Sequence, residues 1–219
     1  ITEFEPMDYQ NTDGEWIGFD ADLAKEFAES LGVTVEFQLI DWDNKVMELD
    51  GKTIDVVWNG MTLTEDVLAA MECSQPYLIN QQVVVVPADV AEDYQTEESL
   101  ADLNFAVEIG SAGCEVAQAN GYSYTEVADQ ATALLEVASG TADAAIIDSL
   151  MAGAMIGEGT SYADMTSTVA LTSEEYGVGF RKGSDLAATL NEFLSGKYAD
   201  GSIQTLAETY GVQDALVQE

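Results

Sequence analysis

Histidine is absent from this chain and positive charge nearly so. Six Lys and Arg stand against 41 Asp and Glu, a net charge of −35 over 219 residues. Without histidine neither a Ser–His nor a Cys–His pair can be assembled, and zinc catalysis is not expected. So few cations leave no basic patch for phosphate, which argues against nucleic acid and anionic membrane surfaces as partners. Cys73 and Cys114 are too few and too unlike in context for a disulfide framework or a metal site, and both read as free thiols. No run of about 18 apolar residues reads as a membrane span, and no charged-then-apolar leader is present. DYQNTDGEW has Tyr9 where the first ligand of a calcium loop belongs, so it reads as a polar hairpin turn. GSAGCEVAQANG lacks the Lys of a phosphate-binding loop. The acidic excess reads as a solvated surface, with a field that draws cationic ligands as the sharper alternative.

What is present is a duplicated unit. VMELDGKTIDVVWNG and LLEVASGTADAAIIDS each run from an apolar helical stretch through Gly51 or Gly140 to an Asp, Asp55 or Asp143, that opens a buried strand. The strands run out at Asn59-Gly60 and at Asp148-Ser149. Ligands of open α/β sheets sit beyond the carboxyl ends of parallel strands. Two such units about 88 residues apart, from Asp55 to Asp143, therefore predict two α/β lobes facing a shared cleft.

Leu23, Phe27 and Leu31 are spaced for an amphipathic helix from Asp20 to Leu31, with Asp20 as its cap and Gly32 at its end. Val33, Val35, Phe37 and Leu39 alternate as in a strand. A helix over Trp42–Leu49 and a strand over Ile54–Trp58 follow. QQVVVVPAD is a strand leading into a second series: strand Phe105–Glu108, a helix after GSAG, a helix over Thr132–Ala138 and strand Ala144–Ile147. EYGVGFRKG leads back, and helices near Leu186–Leu194 and Ile203–Tyr210 finish the chain. The alternation implies mostly parallel sheets. The lobes are expected over 1–82 plus 178–219, and over 83–177, joined by two crossing strands that act as a hinge.

These segments carry a resemblance. EPMDYQNTDGEWIGFDADLAKEF, WNGMTLT, SQPYL, GSAGCEV, DAAIID and YGVGFRKGSDL fall in the order and spacing of the extracytoplasmic solute-binding proteins of polar amino-acid ABC transporters. The resemblance implies an α/β, two-lobed type II periplasmic-binding-protein fold that closes on a small-molecule ligand and hands it to a membrane permease. It also implies a monomer in the periplasm or at the cell surface, lipid-anchored in some full-length relatives, with no cofactor and no metal. Relatives carry a short hydrophobic strand before the segment matching FEPMDY, so the full protein is expected to have one.

By the same matching, Asp148 would take a ligand's ammonium group; read without the family it is a helix cap. Asn59, Gly60 and Thr62 would contact ammonium and carboxylate from the first lobe. Phe4 and Trp42 would flank the ligand side chain, with ordinary core as the plainer reading; Trp58 reads as core. The anion-binding half departs from the pattern. The family's carboxylate-clamping Arg falls on Val67, and the Thr or Ser after Gly-Ser is Ala112. None of Lys25, Lys45, Lys52, Arg181, Lys182 and Lys197 is expected in the cleft. Backbone N–H groups from Ser111 at a helix start are the remaining anion donors, worth about 0.3–1 kcal/mol and far weaker than an Arg fork. With Glu5, Glu65 and Glu108 also near the expected cleft, the residues point to a cationic or neutral solute such as an amine, or to an amino acid held by backbone donors. The rival readings are the extracellular sensing domain of a receptor or kinase, and an acid–base enzyme using paired carboxylates.

Overall fold

The computed structural model describes residues 1–218. The chain forms two compact units: Ile1–Ile79 together with the C-terminal stretch from Glu175, and Asn80–Glu174. In the first unit, β1 (Tyr9–Gln10) and β2 (Trp16–Ile17) form the expected polar hairpin. Helix α1 (Phe19–Ser30) follows Gly18, whose φ of 127° suits glycine. A Cβ there would lie 2.1 Å from the Met7 carbonyl oxygen. That closeness explains why α1 has no side-chain cap: the N–H groups of Phe19 and Asp20 donate to the carbonyls of Pro6 and Met7. Asp20, expected as the cap, sits inside the first turn and is buried. Gly32 ends the helix as expected, at φ 69°.

The strand expected over Val33–Leu39 does not form. Its backbone partners are Ala28 O, which accepts from Val33 N, and Ile1, through Ile40 N to Ile1 O and the Ile1 amino group to Gln38 O. Val33 and Leu39 stay exposed. Alternation describes a strand's faces, but a strand needs a hydrogen-bonding neighbour along its length. A 3-10 turn at Trp42–Asn44 leads into α2 (Lys45–Gly51), then β3 (Val56–Thr62), α3 (Glu65–Ala70), β4 (Met71–Cys73) and β5 (Leu78–Asn80). Beyond the second unit come β11 (Glu174–Arg181), α7 (Leu186–Asp200) and α8 (Ser202–Tyr210). Strand β11 pairs antiparallel with both β3 and β4, so the expected mostly parallel sheet is not found in this unit. Along β3, Val57 and Met61 join Leu49 and Met71 in one apolar cluster, while Trp58 meets Phe27 of α1. The β3–β11 register slips between Gly177 and Gly179, opposite Val57 to Met61. Asn59 and Gly60 therefore lie in an irregularity within a strand, not at its end. Bulges of this kind re-aim side chains beside functional sites.

The second unit carries β6 (Gln82–Pro87), β7 (Asn104–Glu108), α4 (Ala112–Asn120), β8 (Ser123–Val127), α5 (Gln130–Ser139), β9 (Ala144–Asp148), α6 (Ser149–Met155) and β10 (Met165–Ala170). Its sheet order is β10-β6-β9-β7-β8. Strand β7 runs parallel to β8 and β9, while β6 is antiparallel to β9 and β10. Val84, Val86, Phe105, Val107 and Ile146 on one face of the sheet pack with Cys114 and Ala117 of α4. Asp129 caps α5 by accepting from Thr132 N, and Ser111 caps α4 by accepting from Cys114 N. Both cysteines are free. No described helix is long and apolar enough to cross a membrane.

Candidate functional site

Asp148 ends β9 and is 5% exposed. Its backbone occupies the cap position of α6, but its side chain makes no cap bond. The carboxylate is held by amides instead. Oδ1 accepts from Asn80 Nδ2 and from Gln82 Nε2, the latter at 2.9 Å. Oδ2 accepts from Gln130 Nε2, and Gln130 Oε1 accepts the Asp148 N–H at 2.9 Å. Two more carboxylates join this network. Glu174 Oε1 accepts from Asn80 and Gln82, both at 2.8 Å, and Glu108 lies on the far side of Gln130. Such donors stabilise an ionised carboxylate without neutralising it. A buried anion supported by neutral amides is suited to receive a cation.

The start of α4 abuts the same network. A Cβ on Gly113 would come within 2.9 Å of Gln82 Oε1 and of the Ile146 carbonyl, so glycine permits that approach. Ser111 and Ala112 thereby stand at a helix N-terminus next to the amides that serve Asp148. A groove of about 300 Å³ opens elsewhere in this unit, lined by Ser149, Gly153, Ile156, Met165 and Ser167, and it includes none of the sequence-predicted site residues.

In the first unit Phe4, Asn59 and Gly60 are brought together. Gly60 adopts φ 54°, and a Cβ there would meet Phe4 Cε1 at 2.7 Å. Phe4 also packs edge-on to Tyr176. The Asn59 side chain is spent internally: Oδ1 accepts from Thr2 N and Oγ1, and Nδ2 donates to Asp8 Oδ2 at 2.7 Å. Gly60 N donates to Asp20 Oδ2, and Tyr77 Oη donates to the same carboxylate. Burial lifts Asp20 to about 6, against the hydrogen bonds from Gly60 and Tyr77. Asp8 is pushed well above the ordinary range by burial and then by the charge of Asp20. Thr62 ends β3 half-buried, its register partner Tyr176.

Trp42 and Val67 belong to the apolar cluster of Leu49, Val57, Met61 and Met71, and both are more than nine-tenths buried. The position that the resemblance matches to the family's Arg is thus filled by packed hydrocarbon. Lys25 pairs with Asp22, Arg181 with Asp55 and Lys197 with Glu26. Lys182 donates to the carbonyls of Leu68 and Met71, and Lys45 lies over the Trp42 ring. Lys52 is exposed in the turn before β3. Glu5 and Glu65 are exposed, whereas Glu108 is buried. Asn80, Gln82 and Gln130 were not anticipated from sequence. Asn80 and Gln82 leave one faint trace, LINQQVVVV, where amides open an otherwise apolar strand; Gln130 leaves none.

The α/β fold is that of the two-lobed periplasmic amino-acid-binding proteins. The chain matches the bacterial extracellular solute-binding proteins, family 3, over residues 1–213, and it belongs to that family. The L-cystine-binding protein TcyJ of Escherichia coli K12 is 28% identical over 210 residues, covering 94% of this chain and 79% of the relative. An ABC uptake transporter substrate-binding protein from Streptococcus pneumoniae with bound histidine superposes with a TM-score of 0.88 at 29% identity, covering 98% and 91% of the two chains. The ancestral amino-acid-binding protein AncCDT-1, a precursor of cyclohexadienyl dehydratase, gives 0.86 at 30% identity over 95% and 92%.

Proposed function

We propose that this protein captures a small solute bearing an ammonium group, an amino acid or an amino-acid-like amine, and delivers it to the permease of an ABC importer. The observation that carries this reading is the Asp148 carboxylate, buried at the end of β9 and supported by the amides of Asn80, Gln82 and Gln130. An ammonium group brings the charge that such a site accepts. The ligand names of the relatives, cystine and histidine, agree with an ammonium-bearing class. With Val67 in the apolar cluster, a ligand carboxylate has no Arg fork at that position. Backbone donors at the start of α4, from Ser111 and Ala112, are its best remaining partners. Phe4 and Gly60 supply the surface of the other lobe, and Trp42 supports that lobe from its core.

The two units act as lobes. Ligand contacts favour a closed arrangement, and the population shifts toward it by the difference in affinity between the two states. The permease reads that arrangement. The protein works as a monomer outside the cytoplasm, held at the membrane by a lipid where the full-length chain provides one, and it releases its ligand unchanged. Isothermal titration with L-arginine, L-histidine, L-cystine and agmatine, which lacks a carboxylate, tests the reading. At least one should bind, and Asp148→Asn should weaken it by about 100-fold or more, the scale of a lost buried ion pair. Wild-type protein that binds none of them, or an Asp148→Asn variant that binds as well, would sink it.

A further inference from the structure

Gln130 touches Asp148 twice, and by opposite chemistry. Its Nε2 donates to Oδ2 of the carboxylate, while its Oε1 accepts the backbone N–H of the same residue at 2.9 Å. A primary amide offers a donor and an acceptor side by side at the end of one side chain, as the edge of a strand does. Gln130 is 7% exposed and is the first residue of α5. Its placement is fixed by Asp129, which caps that helix through Thr132 N at 2.6 Å. The other hydrogen of its amino group points toward Glu108 Oε2 at 3.5 Å. The ring of donors around Asp148 thus has two halves: Asn80 and Gln82 serve Oδ1 and share themselves with Glu174, while Gln130 serves Oδ2 and the main chain.

We propose that Gln130 is the positioning residue of the ammonium site, locking both the rotamer of Asp148 and the backbone of β9 from which it projects. This rests on the reading of Asp148 as the ammonium acceptor. Gln130 does not touch the ligand; it holds the group that does. Asp148 at the end of β9 and Glu108 at the end of β7 face it, Asp129 precedes it at its own helix start, and Glu174 at the start of β11 joins through Asn80 and Gln82. Each donor favours the charged form of the carboxyl, against the opposing effects of burial and neighbouring carboxylates. Removing the Gln130 donor takes away part of that support, so the carboxyl of the variant should take up a proton more readily than that of the wild type.

Gln130→Met keeps the length and removes both hydrogen bonds. L-arginine titrated into the wild-type protein from about pH 8 down to about pH 5.5 gives the reference profile. In Gln130→Met, affinity should be reduced at about pH 8 and fall by about a further tenfold toward pH 5.5, as the carboxyl protonates. Gln130→Asn, whose amide cannot span both contacts, should move the same way with less effect on folding. A role in packing alone would lower the melting temperature and leave the pH profile parallel to wild type, which would overturn the proposal. Carbon-13 NMR titration of the Asp148 carboxyl reads the same positioning without ligand, and coincident curves for wild type and variant would also overturn it. Wild-type protein that fails to bind arginine or any other ammonium solute defeats the ligand reading instead, while the carboxyl titration still decides the role of Gln130.

Discussion

Asp20 grips Gly60 across the first unit: Oδ2 of the buried carboxylate accepts the Gly60 N–H at 2.6 Å. Burial lifts Asp20 from its ordinary 3.8 to about 6. Below the unfolded value both folded and unfolded chains hold the proton. Between about 3.8 and about 6 the folded chain holds it more tightly, so its stabilising contribution is lost as pH rises through about 6. Asp8, shifted the same way, adds to the trend. Asp20→Asn keeps an acceptor for Gly60 and removes the charge. Urea unfolding from about pH 4.5 to about pH 7.5 should show a smaller fall in stability for the variant than for wild type. Equal slopes would mean that Asp20 is not the source.

Gly60→Ala should be costly. A Cβ at φ 54° is strained and would stand 2.7 Å from Phe4 and 3.0 Å from Tyr176. A loss of about 2 kcal/mol is expected in urea unfolding, with weakened ligand binding because Phe4 must move. A variant with wild-type stability would show that the strand irregularity relaxes freely.

Val67→Arg restores the charge of the family at the price of a packed position beside Trp42 and Leu49. It should lower stability by about 1–3 kcal/mol and raise the preference for L-arginine over agmatine by about tenfold, since only arginine offers a carboxylate. An unchanged preference would mean that this position does not decide whether a carboxylate is bound.

The excess of 41 acidic over 6 basic residues should make stability salt-dependent. Screening shortens from about 10 Å at 0.1 M to about 3 Å at 1 M, so the melting temperature should climb by about 5 °C or more over that range of NaCl. A flat response would mean that the charges are spaced widely enough not to repel.

The elements that announce themselves by apolar period were readable in the sequence: α1, β6, β7, β9, α7 and α8. So was Asp148, because an acidic residue closing the run AAII marks a strand end. Strand β8 was not, since Ser123–Val127 is mostly exposed and meets the core through the half-buried Tyr124. Strand β10 and helix α6 are short and only partly buried, which left them equally silent. The segment Val33–Leu39 misled for the opposite reason: its alternation is real, but alternation cannot name a neighbour. The amides around Asp148 had little signature of their own beyond the run LINQQVVVV, which does not reach Gln130. Asn and Gln enter strands, turns and helix starts alike, and only the fold shows that Asn80, Gln82 and Gln130, distant in sequence, converge on one carboxylate.

Asn80, where the chain begins the second unit, donates to Glu174, where it leaves, and Gln82 N donates to Thr172 Oγ1 at 2.9 Å just inside that pair. The stretch between them is thus a loop drawn shut at its neck. What lies within it can be exchanged or reshaped over generations while the rest of the chain feels only two adjoining ends. The residues that draw the neck together are also those that hold Asp148. Changes within the insert that kept Asn80, Gln82, Gln130 and Asp148 would leave this network whole, so the walls around it could vary while the grip on Asp148 stayed in place.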